Sequence, residues 1–120
     1  MHIIDSNAAM AHVLAITLNP WLRRRLLLHR EQHREAGCDI GELGPILLIE
    51  PGDSLAAVQA AAGTNVTSGW EYHQADHGWH EFVFVTSDDG AGAVLFIPDR
   101  DDMDAALLGI IRAATEAHDS

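Results

Sequence analysis

Residues 79–98 read WHEFVFVTSDDGAGAVLFIP, two apolar segments joined by a polar turn. In the first segment, Trp79 to Thr86, successive side chains point to opposite faces of a strand, and both sets are largely apolar. Asp89-Gly90 favours a tight hairpin turn, and the second strand runs from Ala91 to Ile97 before a proline ends it. The stretch therefore predicts an antiparallel hairpin that other elements cover on both faces.

The flanking sequence supplies the remaining elements. Capping residues and apolar periodicity predict helices over residues 8–18, 20–36, 55–62 and 103–114, and strands over residues 46–50 and 70–74. The apolar run Ile46 to Ile49, closed by Pro-Gly, is typical of a strand buried on both faces. The order α-α-β-α-β-β-β-α predicts the α+β class, with a largely antiparallel sheet of about four strands and helices packed mainly on one face.

Length and composition are those of one globular unit. The chain has 120 residues, of which 48% are hydrophobic and 21% charged, so we expect residues 1–120 to form a single α+β domain. No apolar run is long enough to cross a bilayer, and the N-terminus lacks the features of a signal peptide. Cys38 is the only cysteine, which rules out an intramolecular disulfide. These features predict a cytoplasmic protein that does not enter membranes.

Charge is distributed unevenly along the chain. The formal net charge is -11, with five arginines against three acidic residues in 1–36 and two arginines against fifteen acidic residues in 37–120. All seven basic residues are arginine and none is lysine, which indicates a GC-rich, bacterial source. An acidic body repels phosphate, so general nucleic-acid binding is disfavoured.

A basic cluster stands out at the start of the second helix. Arg23, Arg24 and Arg25 point three guanidinium groups around one helical turn. Together they could bind an acidic protein, a phosphate group or a second copy of this acidic chain. The alternative is that they cover neighbouring apolar surface and pair with acids of the domain itself. Further along this helix, the spacing of His29 and His33 suits a metal ion, but adjacent arginines favour a solvated face instead.

The segment 71–81 concentrates imidazoles and carboxylates. A hairpin there could place His73 and His80 opposite each other, with His77 in the turn, and Asp76 or Glu81 could complete a ligand set. Such a site would hold zinc or another divalent transition metal and could support hydrolysis. The spacing matches no established zinc motif, and the alternative is that the histidines are cross-strand polar partners and a solvated turn residue.

Two tryptophans are expected near one end of this same hairpin. Trp70 and Trp79 are the kind of residue that anchors protein interfaces, although either could equally belong to the core. No nucleophile elbow, phosphate-binding loop or dinucleotide fingerprint occurs in the chain. We therefore expect a non-catalytic module of accessory, regulatory or immunity type that needs no cofactor. It would bind a protein, or itself as a homodimer, through the arginine cluster or the two tryptophans; the metal-binding domain is the alternative.

Overall fold

The structure is a computed structural model, and it describes residues 1–17, 19–42, 44–62, 70–76, 78–85 and 92–119. Its elements are, in chain order, β1 (His2–Ile4), α1 (Asn7–Ile16), α2 (Pro20–Glu35), β2 (Ile46–Leu48), α3 (Leu55–Ala62), β3 (Trp70–Asp76), β4 (Trp79–Val85), β5 (Gly92–Pro98) and α4 (Ala105–Asp119). The predicted α+β class and the predicted order of elements are confirmed. The structure adds one short strand, β1, before them.

All five strands belong to one sheet in the order β1-β2-β5-β4-β3. Strands β2 and β5 are parallel, with Leu47 opposite Leu95, and every other neighbouring pair is antiparallel. The prediction of a largely antiparallel sheet is therefore confirmed. Strand β1 escapes prediction because three residues are too few to show an alternating pattern, and it lies at the edge next to β2.

Helices cover both faces of this sheet. On one face, α1 and α2 pack over the sheet in a core cluster that includes Met10, Leu22, Leu26, Ile46, Leu48 and Phe96. On the other face, α3 and α4 contribute to a second cluster that includes Leu47, Val58, Phe82, Leu95, Leu107 and Ile111. The prediction that helices pack mainly on one face is wrong. Strands β2 and β5 are apolar on both sides, and both sides must be kept from water.

Local capping signals explain how the first two helices begin. The Ser6 side chain accepts a hydrogen bond from the Ala9 amide at 3.0 Å, and the Asn19 side chain accepts one from the Leu22 amide at 3.0 Å. Pro20 follows Asn19 at the first helical position, where its missing N–H costs nothing. The two caps therefore fix where α1 and α2 start. Within the described ranges, no helix combines the length and the apolar character needed to cross a membrane.

Candidate functional site

A buried carboxylate lies between the sheet and α2. Glu81 on β4 is 1% exposed and lies opposite Phe96 of β5. Arg25 binds it with both ends of its guanidinium: Nη2 donates to Oε2 at 2.6 Å and Nε donates to Oε1 at 3.1 Å. His29, one turn further along α2, places Nε2 3.1 Å from Oε1. Two side chains of one helix therefore hold a single acid of the sheet.

These contacts keep Glu81 ionised. Burial alone raises the pKa of this carboxyl, because a charge is poorly solvated inside a protein. The hydrogen bonds from His29 and Arg25, together with the charges of these two groups, outweigh burial and lower the pKa from 4.5 to about 2. Near neutral pH, α2 and β4 are thus joined by a charged contact in which the Glu81 side chain is 1% exposed and the Arg25 side chain 18% exposed.

The three consecutive arginines have three different environments. Arg23 donates a hydrogen bond to the carbonyl oxygen of Leu14 near the end of α1, and Arg25 is committed to Glu81. Arg24 is exposed, and in the part of the chain that the structure describes it makes no hydrogen bond or ion pair. The arginine cluster therefore does not present three equivalent cations, and of its three members only Arg24 makes no hydrogen bond or ion pair with the described residues.

The buried pairing of His29 with Glu81 is what sequence reasoning missed, although each residue was considered separately as a metal ligand. The solvated position predicted for His29 is wrong: it is 9% exposed, and its ring meets Phe96 edge to face with 5.9 Å between centroids. The sequence does contain a pattern that indicates burial of this position. One face of α2 carries residues spaced three and four apart, as in a buried helical stripe: Leu22, Arg25, Leu26 and His29. Because an unpaired charge is costly to bury, two basic residues inside such a stripe indicate that a buried acidic residue packs against them.

The histidines of segment 71–81 are not arranged as predicted. Ala75, and not His73, lies opposite His80, because the chain turns between Asp76 and Trp79, which face each other. His73 lies where the register between β3 and β4 shifts, between Tyr72 and Gln74. For His73 and Trp70 the structure describes the backbone alone. His77 lies outside the described residues.

His80 is buried beside an acidic residue that follows β5. Its side chain is 8% exposed, and Nε2 lies 3.2 Å from Oδ2 of Asp99, which is itself largely exposed. Among the described residues, no three histidine, cysteine or acidic side chains gather closely enough to hold a metal ion. The predicted metal set of His73, His77 and His80 therefore stays a prediction from the sequence.

Trp79 lines an apolar cleft at one end of the sheet. This first cleft has a volume of about 270 Å³. It is lined by His2, Val13, Ile16, Thr17, Asn19, Leu22, Leu48, Glu50 and Trp79. Ile16, at the end of α1, is 50% exposed and is one of three large apolar side chains that stand in solvent within the described ranges. A partner could therefore reach apolar surface here without any element moving.

A second cleft adjoins the first and has a more polar lining. Its volume is about 420 Å³. It is lined by Ile49, Glu50, Pro51, Gly78, Trp79, Pro98, Asp99 and Arg100, at the carboxyl ends of the parallel strands β2 and β5. Trp79 and Glu50 belong to both linings, so the two clefts form one continuous surface around these two side chains.

No family model, curated protein or solved structure matches this chain. The residues around Trp79 and the contacts that hold them are therefore the guide to function.

Proposed function

We propose that this protein is a non-catalytic binding module that accepts a large apolar side chain of a protein partner in the first cleft. The observation that carries the proposal is the lining of that cleft, in which the partly buried Trp79 and the half-exposed Ile16 leave apolar surface open to solvent. Removing such surface from water contributes about 25 cal/mol for each Å² buried. Aromatic residues in pockets of this kind are frequent anchors of protein interfaces.

The first cleft by itself has the size of one side chain, and the adjoining second cleft of about 420 Å³ leaves room for more of the partner. Pockets for drug-sized molecules usually enclose about 300–1,000 Å³, and this cleft, at about 270 Å³, lies just below that range. An open cleft of this volume can take one leucine, methionine or aromatic side chain while the rest of the partner stays on the surface. The partner can belong to another protein or to a second copy of this chain, and the oligomeric state in solution separates these two cases.

The test is selection of a random displayed peptide library on the immobilised protein, followed by affinity measurements with the enriched peptides. Ile16→Gln removes apolar surface from the cleft and retains a helix-compatible side chain. Leu28→Gln is the matched control, because Leu28 is also a large helical residue, 41% exposed, and does not line the cleft. We expect Ile16→Gln to weaken binding about five- to tenfold and Leu28→Gln to leave it unchanged.

Two results would overturn the proposal. One is the absence of any enriched peptide with a large apolar residue, and the other is an equal effect of the two substitutions. Circular dichroism on both variants excludes a loss of fold as the cause, since both residues are substantially solvent-exposed in the wild type.

A further inference from the structure

We propose that the partner segment carries an arginine or lysine next to its apolar residue, and that this basic side chain lies in the second cleft. The inference rests on the proposed function, because it assigns a second contact to the same partner. The two clefts share a wall, because Trp79 and Glu50 line both of them. A partner segment anchored in the first cleft therefore continues directly over the second.

The charged groups of the second cleft favour a cation. Glu50 and Asp99 are both exposed carboxylates of its lining. Arg100 is the one arginine of the lining, and its guanidinium is held by Asp102, with Nη2 donating to Oδ2 at 2.9 Å and Nε donating to Oδ1 at 3.0 Å. This local pairing offsets the positive charge, so that the two carboxylates dominate the cleft.

The neighbours of these carboxylates leave them accessible. His2 places Nε2 3.3 Å from Oε1 of Glu50, and the Met1 ammonium group lies 3.0 Å from the same oxygen, yet the Glu50 side chain remains 49% exposed. The charge of the Met1 ammonium group is shared with Asp53, whose Oδ2 is also 3.0 Å away. Asp99 is approached by His80 and keeps 58% exposure. Each carboxylate therefore retains surface on which a further donor can bind.

Trp79 and the overall charge add to this preference. A guanidinium or ammonium group is attracted to the face of an indole ring, and tryptophan is the strongest of the aromatic residues in this respect. At long range, a protein with a net charge of -11 accelerates its encounter with basic partners and disfavours acidic ones. The apolar cleft supplies the anchor, and the carboxylates beside Trp79 supply the preference for a neighbouring cation.

The experiment uses the peptides enriched by the selection described above. We expect them to carry arginine or lysine close to the apolar residue, and we expect replacement of that basic residue by glutamine to weaken binding. In the protein, Glu50→Gln and Asp99→Asn should each lower the affinity about two- to fivefold, the range of exposed ion pairs. Asp101→Asn is the matched control, because Asp101 is exposed nearby and lines neither cleft. Added salt should reduce the difference between wild type and Glu50→Gln.

The outcomes separate the two proposals. Peptides that depend on Ile16 but show no basic preference, or whose affinity is unchanged by both Glu50→Gln and Asp99→Asn, would overturn this inference and leave the proposed function standing. Peptides whose binding is indifferent to Ile16→Gln would overturn the proposed function itself. An equal loss in Asp101→Asn would show that only overall charge matters, and this too would overturn the inference.

Discussion

Arg25 and Glu81 lie 56 residues apart in the chain, and their side chains form a two-point ion pair in the interior, with Nη2 and Oε2 separated by 2.6 Å. The pair connects the two walls of the first cleft. Leu22, one helical turn before Arg25, lines the cleft from α2, and Trp79, two residues before Glu81, lines it from β4. A contact that fixes α2 against β4 therefore also fixes the opening of the cleft.

Replacing Arg25 by alanine should destabilise the fold strongly, because Glu81 would keep its charge in the interior with only His29 to bind it. Breaking a buried ion pair on one side typically costs about 3–5 kcal/mol. Arg24→Ala is the matched control, since Arg24 is the adjacent residue of α2 but is exposed, and it should change the free energy of unfolding by no more than about 0.5 kcal/mol. Urea unfolding followed by tryptophan fluorescence measures both values. Similar small effects for the two variants would show that the pair contributes little.

The contribution of Glu81 to stability should depend on pH in a defined direction. Its pKa is lowered from 4.5 to about 2 in the folded protein, so the unfolded chain binds a proton more readily than the folded one. The resulting stabilisation is complete above about pH 4.5 and is lost as the pH falls from there towards 2. At its maximum, this contribution to the free energy of unfolding is about 3 kcal/mol.

Glu81→Gln isolates this effect, because glutamine keeps the shape of the side chain and cannot be ionised. The difference in unfolding free energy between wild type and Glu81→Gln should shrink as the pH is lowered from about 5.5 to about 3. Dilute samples are needed, since the isoelectric point near 4.8 lies within this range. A difference that stays constant over the range would contradict the lowered pKa.

Much of the fold could be predicted because its signals are local. The cap at Asn19, the proline after it and the alternation in residues 79–86 each depend on neighbouring residues, and the structure confirms α2 and β4. The distribution of helices over the two faces depends on how distant segments meet. It could not be read from any one stretch, although the continuous apolar run at Ile46 to Ile49 already required cover on both sides.

The site was predicted less completely, for a related reason. Trp79 was a candidate, and the structure places it in the walls of both clefts. Arg25 was a candidate for an outside partner, and its partner is instead Glu81, an acid from a distant strand. Local spacing shows that a charged residue lies on an inward face. It does not show which distant residue neutralises it, and that pairing decides whether the charge remains available for binding.

Gly41 should tolerate alanine far less well than Gly37. Both have positive φ angles, +99° and +76°, at which a side chain costs roughly 1–2 kcal/mol. At Gly41 an added Cβ would also collide with the carbonyl oxygen of Asp5, whereas at Gly37 it would meet nothing within 4 Å. The loop must stay close to Asp5, because the Ile40 amide donates to the Asn7 side chain at 3.0 Å. We expect Gly41→Ala to lower the free energy of unfolding clearly more than Gly37→Ala. Equal losses would show that the loop around Gly41 can move away from Asp5 without an energetic cost.

Zinc binding by His73, His77 and His80 is the prediction that most directly competes with the proposed function. A zinc site needs at least three side chains that converge within about 2 Å of the ion, and the register places Ala75, not His73, opposite His80 while His80 faces Asp99. We therefore expect zinc added to tag-free protein to produce no saturable change in the amide NMR signals of residues 71–81, and His77→Ala to behave like the wild type. Saturation at one equivalent, with shifts confined to this segment and abolished by His77→Ala, would favour the metal-binding domain and make hydrolysis the activity to examine next.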